Sequence, residues 1–179
     1  SIYDNSPFLK QELVLETYVA LLPFPTVTRM VDNYLYRFLK KINRLDIAEQ
    51  YDLMPFPITT QAIERTLVDK IFAICDYYLD GKTEKHSRHL YDIHKIYTNM
   101  EIPNNFKDLI VNVRSLRSEL AVCPSAKDGV DINKVLQEIV DTEAYKNDYE
   151  EITSGLLFTP LEYDEVITSI NAIIQLNLF

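Results

Sequence analysis

The chain has 179 residues, of which 47% are hydrophobic and 25% are charged, and its formal net charge is −9. This composition predicts a folded globular chain and excludes disordered and collagen-like proteins. Only 3 glycines occur, which disfavours an all-β protein with many tight turns and indicates a mainly helical one.

The sequence also bears on location and on cysteine chemistry. No apolar run approaches the roughly 20 residues that cross a bilayer, and the first residues do not look like a signal peptide. We therefore expect a cytoplasmic protein with no membrane partner.

Cys75 and Cys123 form no CxxC pair, so we expect two core residues rather than a zinc site or a disulfide.

The first region of the chain, 1–60, combines strand and helix patterns. β-branched and aromatic residues between prolines predict a strand over 10–20. Apolar residues at three- and four-residue steps predict a helix over 26–43, and a short strand is predicted over 56–60. The chain starts with Ser and enters the first strand almost directly, which predicts that it is a piece of a longer protein.

The second region, 61–179, is predicted to be a helical domain. Apolar stripes predict helices over 63–79, 87–97, 105–121, 131–142, 143–152 and 161–176. The expected fold class is therefore α+β and predominantly α, with one or two strands followed by a helical bundle.

Lys70 is the first candidate for chemistry, because it falls mid-helix beside fairly apolar surface. Such an ammonium can bind phosphate as a point charge. The alternative is a structural lysine whose stem covers the core while its charge pairs with Glu64 or Asp69.

The following helix carries further candidates. Arg88 and Asp92 are four residues apart, which an intrahelical ion pair would explain. His86, His89 and Asp92 step by three and could form a metal triad, although the spacing departs from HExxH and no further ligand is evident. His94 lies on the apolar stripe, which predicts a hydrogen-bonded core histidine.

Glu12 and Glu16 point to the same face of the predicted strand over 10–20. Carboxylates at that place are typical Mg²⁺ ligands in phosphoryl transfer, and the alternative is the charged solvent face of an edge strand. The sequence contains neither GxxxxGK[ST] nor GxGxxG, which excludes P-loop and Rossmann sites in this chain.

Three segments carry a family resemblance: ETYVALLPFP at 16–25, QAIERTLVDKIFAICDYYLDGK at 61–82 and SRHLYDIHKIY at 87–97. Together they resemble the C-terminal part of the AbiEii/AbiGii toxin family, nucleotidyltransferases of bacterial abortive-infection and toxin–antitoxin systems. The resemblance implies that region 1–60 ends a nucleotidyltransferase core. It also implies transfer of a nucleotide from an NTP to an acceptor, with RNA the expected acceptor and a cognate antitoxin as partner.

The same resemblance implies roles for individual residues. Glu16 matches a catalytic carboxylate that binds Mg²⁺, with Glu12 left open as the alternative, and Lys70 matches a lysine that faces the NTP triphosphate. Arg88 and Asp92 match an arginine-aspartate motif, in which Arg88 contacts the NTP phosphates and Asp92 is catalytic. His89 stands where the family often has Asp, and the alternative role for Asp92 is to orient Arg88 or Lys70.

Part of the family pattern is missing. Such enzymes open with a Gly-Ser turn and a D-x-D or D-x-E pair, whereas this chain has no Gly-Ser step. The look-alike Asp141-Thr142-Glu143 lies far downstream, at the end of a predicted helix. We therefore expect the missing N-terminal part upstream of Ser1, and a fragment that is inactive alone.

Two other functions remain as alternatives. Arg88 and His94 fit the R-x(4–6)-H pattern of metal-independent HEPN ribonucleases, although six helical residues place them about 240° apart. A non-catalytic interaction module could instead use an acidic face, whose alternative is an ordinary solvated surface. That face comprises Glu138, Asp141, Glu143, Asp148, Glu150 and Glu151.

Overall fold

The computed structural model describes residues 25–179. The chain divides after Ala62 into two units, and each is described by itself. The strand predicted over 10–20 lies outside the described residues, as do Glu12 and Glu16.

The first unit contains a two-stranded antiparallel sheet. Strand β1 (Thr26–Val31) pairs with β2 (Phe56–Gln61), with Thr26 opposite Gln61. The strand predicted over 56–60 is therefore present. Few side chains of this unit are buried, so its own hydrophobic core is small.

The helix predicted over 26–43 is wrong in its first part. Helix α1 runs over Tyr34–Lys41 only, and a separate α2 follows over Leu45–Gln50. The β-branched residues of β1 favour extended backbone, and β2 supplies the partner that a local pattern does not reveal. Asn33 caps α1 by accepting the Tyr36 N–H at 2.8 Å.

The second unit, from Ile63 onward, is helical. Its α-helices agree with the sequence patterns, except that the helix predicted over 143–152 is a short α7 continued by a π-helical turn over Tyr149–Thr153. The α-helices are α3 (Ile63–Leu79), α4 (Arg88–Tyr97), α5 (Phe106–Ser118), α6 (Ile132–Asp141), α7 (Lys146–Asp148) and α8 (Tyr163–Leu176).

Helix α3 lies at the centre of this unit and packs against α4, α5 and α6, while α8 packs against α4 and α6. Its fully buried side chains include Leu67, Ile71 and Ile74. Cys75 and Cys123 are buried and unpaired, which confirms their prediction as core residues.

The architecture of the described residues is α+β and predominantly α, as the sequence predicts. Between residues 25 and 179, no helix combines the length and the apolar character required to span a membrane.

Candidate functional site

Lys70 projects from the middle of α3 and reaches two groups on α4. Its Nζ lies 2.8 Å from Oδ2 of Asp92 and 3.1 Å from Nδ1 of His89. The Lys70 and Asp92 side chains are 28% and 38% exposed, so solvent still reaches the pair. Asp92, and not Glu64 or Asp69, is therefore the carboxylate that pairs with Lys70.

The packing of α4 explains why these groups meet. Leu90 and Ile93 are fully buried and fix the rotation of the helix about its axis. His89 and Asp92 are three residues apart and share the side that contacts Lys70. The packing of α3 against α4 therefore brings Lys70 and Asp92 together.

The Asp92 carboxyl is ionised at neutral pH. Burial raises the pKa of its carboxyl, but the ammonium of Lys70, in direct contact with it, outweighs burial and holds the pKa below its usual range. The site therefore contains a carboxylate and an ammonium in direct contact at neutral pH.

Arg88 begins α4 and is exposed. Its expected ion pair with Asp92 does not form, because Asp92 turns to Lys70 instead. Within the described part of the chain, Arg88 makes no ion pair. Its guanidinium is therefore available to a ligand at the surface.

A stacked aromatic pair adjoins the Lys70 contact. The Tyr77 and His86 rings are 3.5 Å apart between centroids and nearly parallel, and the His89 ring lies parallel at 5.8 Å from Tyr77. Burial lowers the pKa of His86. The neighbouring His89 and Arg88 lower this pKa further, while Asp148 acts in the opposite direction. His86 is therefore neutral at pH 7.

Asp148, at the end of α7, holds the loop that leads into α4. Its carboxylate accepts the backbone N–H groups of Lys85 at 2.6 Å and of Ser87 at 3.0 Å. Burial raises the pKa of Asp148, but hydrogen bonds from Ser87 and Lys85 outweigh it and lower the pKa. The Ser87 hydroxyl bonds to the Thr153 hydroxyl at 2.7 Å and makes no cap to α4.

The sequence placed Asp148 on an acidic face, and that assignment is wrong because Asp148 is buried. Its spacing from two buried tyrosines was the available signal: Tyr145, Asp148 and Tyr149 fall on one helical stripe. The remaining acidic residues of the face are exposed: Glu138, Asp141, Glu143, Glu150 and Glu151.

A second buried carboxylate, Asp76 on α3, was also missed. It accepts the N–H and the hydroxyl of Ser125 at 2.8 and 2.6 Å, and Arg117 on α5 at 2.6 Å. These contacts join three elements of the core, so we assign Asp76 to the stability of the fold. No periodicity signals it, because the partners lie 41 and 49 residues away.

The described residues do not fit a divalent metal ion. Between residues 25 and 179, no group of three or more His, Cys, Asp or Glu side chains is arranged to hold one. The conceivable triad of His86, His89 and Asp92 is not such a group, because Lys70 occupies Nδ1 of His89 and Oδ2 of Asp92.

The D-x-E look-alike, which begins at the last residue of α6, also has other partners. Asp141 accepts a hydrogen bond from Gln137 at 2.8 Å, and Glu143 pairs with Lys146 at 2.8 Å. These carboxylates are therefore part of the helix surface and not of the Lys70 site.

His94 is a core histidine, as predicted. It is buried, and its Nδ1 lies 2.9 Å from the Ser169 hydroxyl on α8. Arg88 is exposed at the surface, so the structure does not bring together the pair that the ribonuclease alternative requires.

Comparisons with known proteins place these residues in a family. The family model described as nucleotidyl transferase AbiEii toxin, type IV TA system, matches residues 7–169. Searches of curated proteins and of solved structures give no significant match. The matched range includes α3, α4 and the Lys70–Asp92 pair, and it spans most of the sequence. The chain therefore belongs to the AbiEii nucleotidyltransferase toxin family of type IV toxin–antitoxin systems.

Proposed function

We propose that this chain forms the triphosphate-binding side of a nucleotidyltransferase site, with Lys70 as the residue that contacts the NTP. The contact between Lys70 and Asp92 carries the proposal. It joins two helices, keeps an ammonium within reach of solvent and lies inside the family match. A partly exposed ion pair stabilises a fold by only about 0–1 kcal/mol, so stability alone is a weak reason for it.

The reaction is transfer of a nucleotide from an NTP to an acceptor hydroxyl. The acceptor oxygen forms a bond to the α-phosphorus, the bond from the α-phosphorus to the bridging oxygen breaks, and pyrophosphate leaves. Lys70 offsets negative charge on the phosphates. Asp92 is the proposed acceptor of the hydroxyl proton through Oδ1, because its Oδ2 contacts Lys70.

Two further residues belong to the proposal. Arg88 is exposed at the start of α4 and supplies a second cation for the NTP phosphates. Glu16 is proposed as a catalytic, Mg²⁺-binding carboxylate on the family resemblance alone, since it lies outside the described residues. The Gly-Ser turn and its carboxylate pair are assigned to sequence upstream of Ser1, without which we expect no transfer.

We propose RNA as the acceptor and a cognate antitoxin as the protein partner. Membership of a type IV toxin–antitoxin family supports the antitoxin. The charge distribution supports placing the phosphate chemistry in the first half, because residues 100–179 contain 6 basic and 14 acidic side chains.

The reaction type is tested by labelling one phosphate at a time. The protein with its native upstream sequence is incubated with total tRNA, Mg²⁺ and each NTP, labelled at either the α- or the γ-phosphate. We expect the α-label to enter RNA and the γ-label to remain in pyrophosphate. Entry of the γ-label into RNA would identify a kinase, and RNA cleavage without metal would favour a nuclease.

A further inference from the structure

His89 makes a contact with Lys70 that fixes its own protonation state. A lysine ammonium carries three N–H donors and no acceptor. Since Lys70 Nζ lies 3.1 Å from Nδ1 of His89, the Nδ1 atom must supply a lone pair. His89 is therefore a neutral imidazole in this contact, with its proton on Nε2.

The other groups around His89 agree with a neutral ring. Tyr77 on α3 and His86 in the preceding loop are parallel to it, at 5.8 and 6.1 Å between centroids. Asp92 Oδ2 is 3.9 Å from Nδ1, which is too long for a hydrogen bond. Lys70 is thus the charged group that faces Nδ1 from α3.

We propose that His89 is a positioning residue for Lys70 in nucleotide transfer. Together His89 and Asp92 accept two N–H groups of the ammonium, so the third is left for a phosphate oxygen. Lysine is otherwise a flexible side chain with a four-carbon stem. The inference rests on the proposed role of Lys70 and names the group that holds it in place.

Protonation of His89 reverses this arrangement. An imidazolium has no acceptor at Nδ1, repels the ammonium of Lys70 and attracts Asp92, so Lys70 loses both of its partners. The neutral ring is therefore the form of His89 that holds Lys70 in place.

The contact itself is tested without any activity measurement. Nitrogen NMR of this chain with ¹⁵N-labelled histidine reports which ring nitrogen of His89 carries the proton. We expect protonated Nε2 and bare Nδ1 at neutral pH, with the Nδ1 signal shifted in Lys70→Met. A proton on Nδ1, or an Nδ1 signal that does not change in Lys70→Met, would overturn the inference.

Two substitutions of His89 distinguish a positioning role from a purely structural role of this side chain. Asn places an acceptor close to the position of Nδ1, whereas Phe keeps a flat ring without an acceptor. In the protein with its native upstream sequence, His89→Phe should raise the KM for the NTP by about 10-fold. His89→Asn should stay within about 3-fold of the parent KM, because it keeps an acceptor for the Lys70 ammonium.

The outcomes distinguish this inference from the proposed function. If Lys70→Ala abolishes transfer while His89→Phe leaves KM unchanged, the positioning role of His89 is wrong and the site stands. If Lys70→Ala leaves transfer intact, the proposed function itself fails, whatever the NMR shows. Equal losses in His89→Asn and His89→Phe would also contradict positioning through the Nδ1 acceptor.

Discussion

The Asp148 carboxylate links α7 to the loop that leads into the Lys70 site. It accepts hydrogen bonds from the backbone N–H groups of Lys85 and Ser87. Asp148→Asn keeps the shape of the side chain but replaces one accepting carboxylate oxygen with an NH2 group, which cannot accept an N–H. We expect the free energy of unfolding to fall by about 2–3 kcal/mol in urea titrations at pH 7, because charge-assisted hydrogen bonds are lost.

The pH dependence of this effect has a defined sign. The pKa of Asp148 is lower in the folded protein, so its contribution exists above the unfolded pKa of about 3.9 and is lost as pH falls through the folded pKa. The stability gap between the parent and Asp148→Asn should therefore shrink in acid. The exposed Asp141→Asn serves as control and should cost no more than about 0.5 kcal/mol.

His94 provides a second pH test at the residue scale. Burial lowers its pKa, Lys95 lowers it further, and Glu165 opposes them. The unfolded chain therefore takes up a proton below about pH 6.5 more readily than the folded protein does. Stability should fall between pH 7 and pH 5, with a shallower slope in His94→Asn. Identical slopes in urea unfolding would show that His94 does not contribute.

At the scale of elements, Asp76 holds α3 to α5 and to the 3₁₀ turn at Pro124–Ala126. Asp76→Ala leaves the Arg117 guanidinium, whose side chain is 18% exposed, without its closest carboxylate. We expect a loss of about 3–5 kcal/mol, measured as a lower Tm and urea midpoint. Ser125→Ala removes one hydroxyl donor to this carboxylate and should cost less, about 2 kcal/mol. Equal costs would contradict the ionic role of Asp76.

The elements also show what a local pattern can predict. Helices α3 to α6 and α8 follow from apolar stripes, because each buries one face against a common core. The segment over 26–31 contains similar steps but forms a strand, since its partner β2 lies about 30 residues further along. Local periodicity does not encode that pairing.

The same limit applies to the site. Lys70 and Asp92 could be singled out from their residue types, their helical positions and the family motif. Their contact, and the bond from Lys70 to His89, depend on how α4 rotates against α3. Asp148 binds partners that lie 61 and 63 residues away in the sequence. The only sequence signal for its burial is therefore its spacing from the buried residues Tyr145 and Tyr149.

For the molecule as a whole, family membership and the Lys70–Asp92 contact support the same function. The family model covers residues 7–169, and the contact lies within its helical part. We therefore propose that nucleotide transfer depends on Lys70 as a contact to substrate and not as a structural ion pair.

The most direct measurement compares Lys70→Ala with Lys134→Ala in the full-length protein. Lys134 is 80% exposed and also lies beside an aspartate, Asp131, so it is a matched control. We expect Lys70→Ala to reduce α-label transfer to RNA by at least about 100-fold while the Tm changes little, and Lys134→Ala to retain transfer. Undiminished transfer by a folded Lys70→Ala variant would contradict the account.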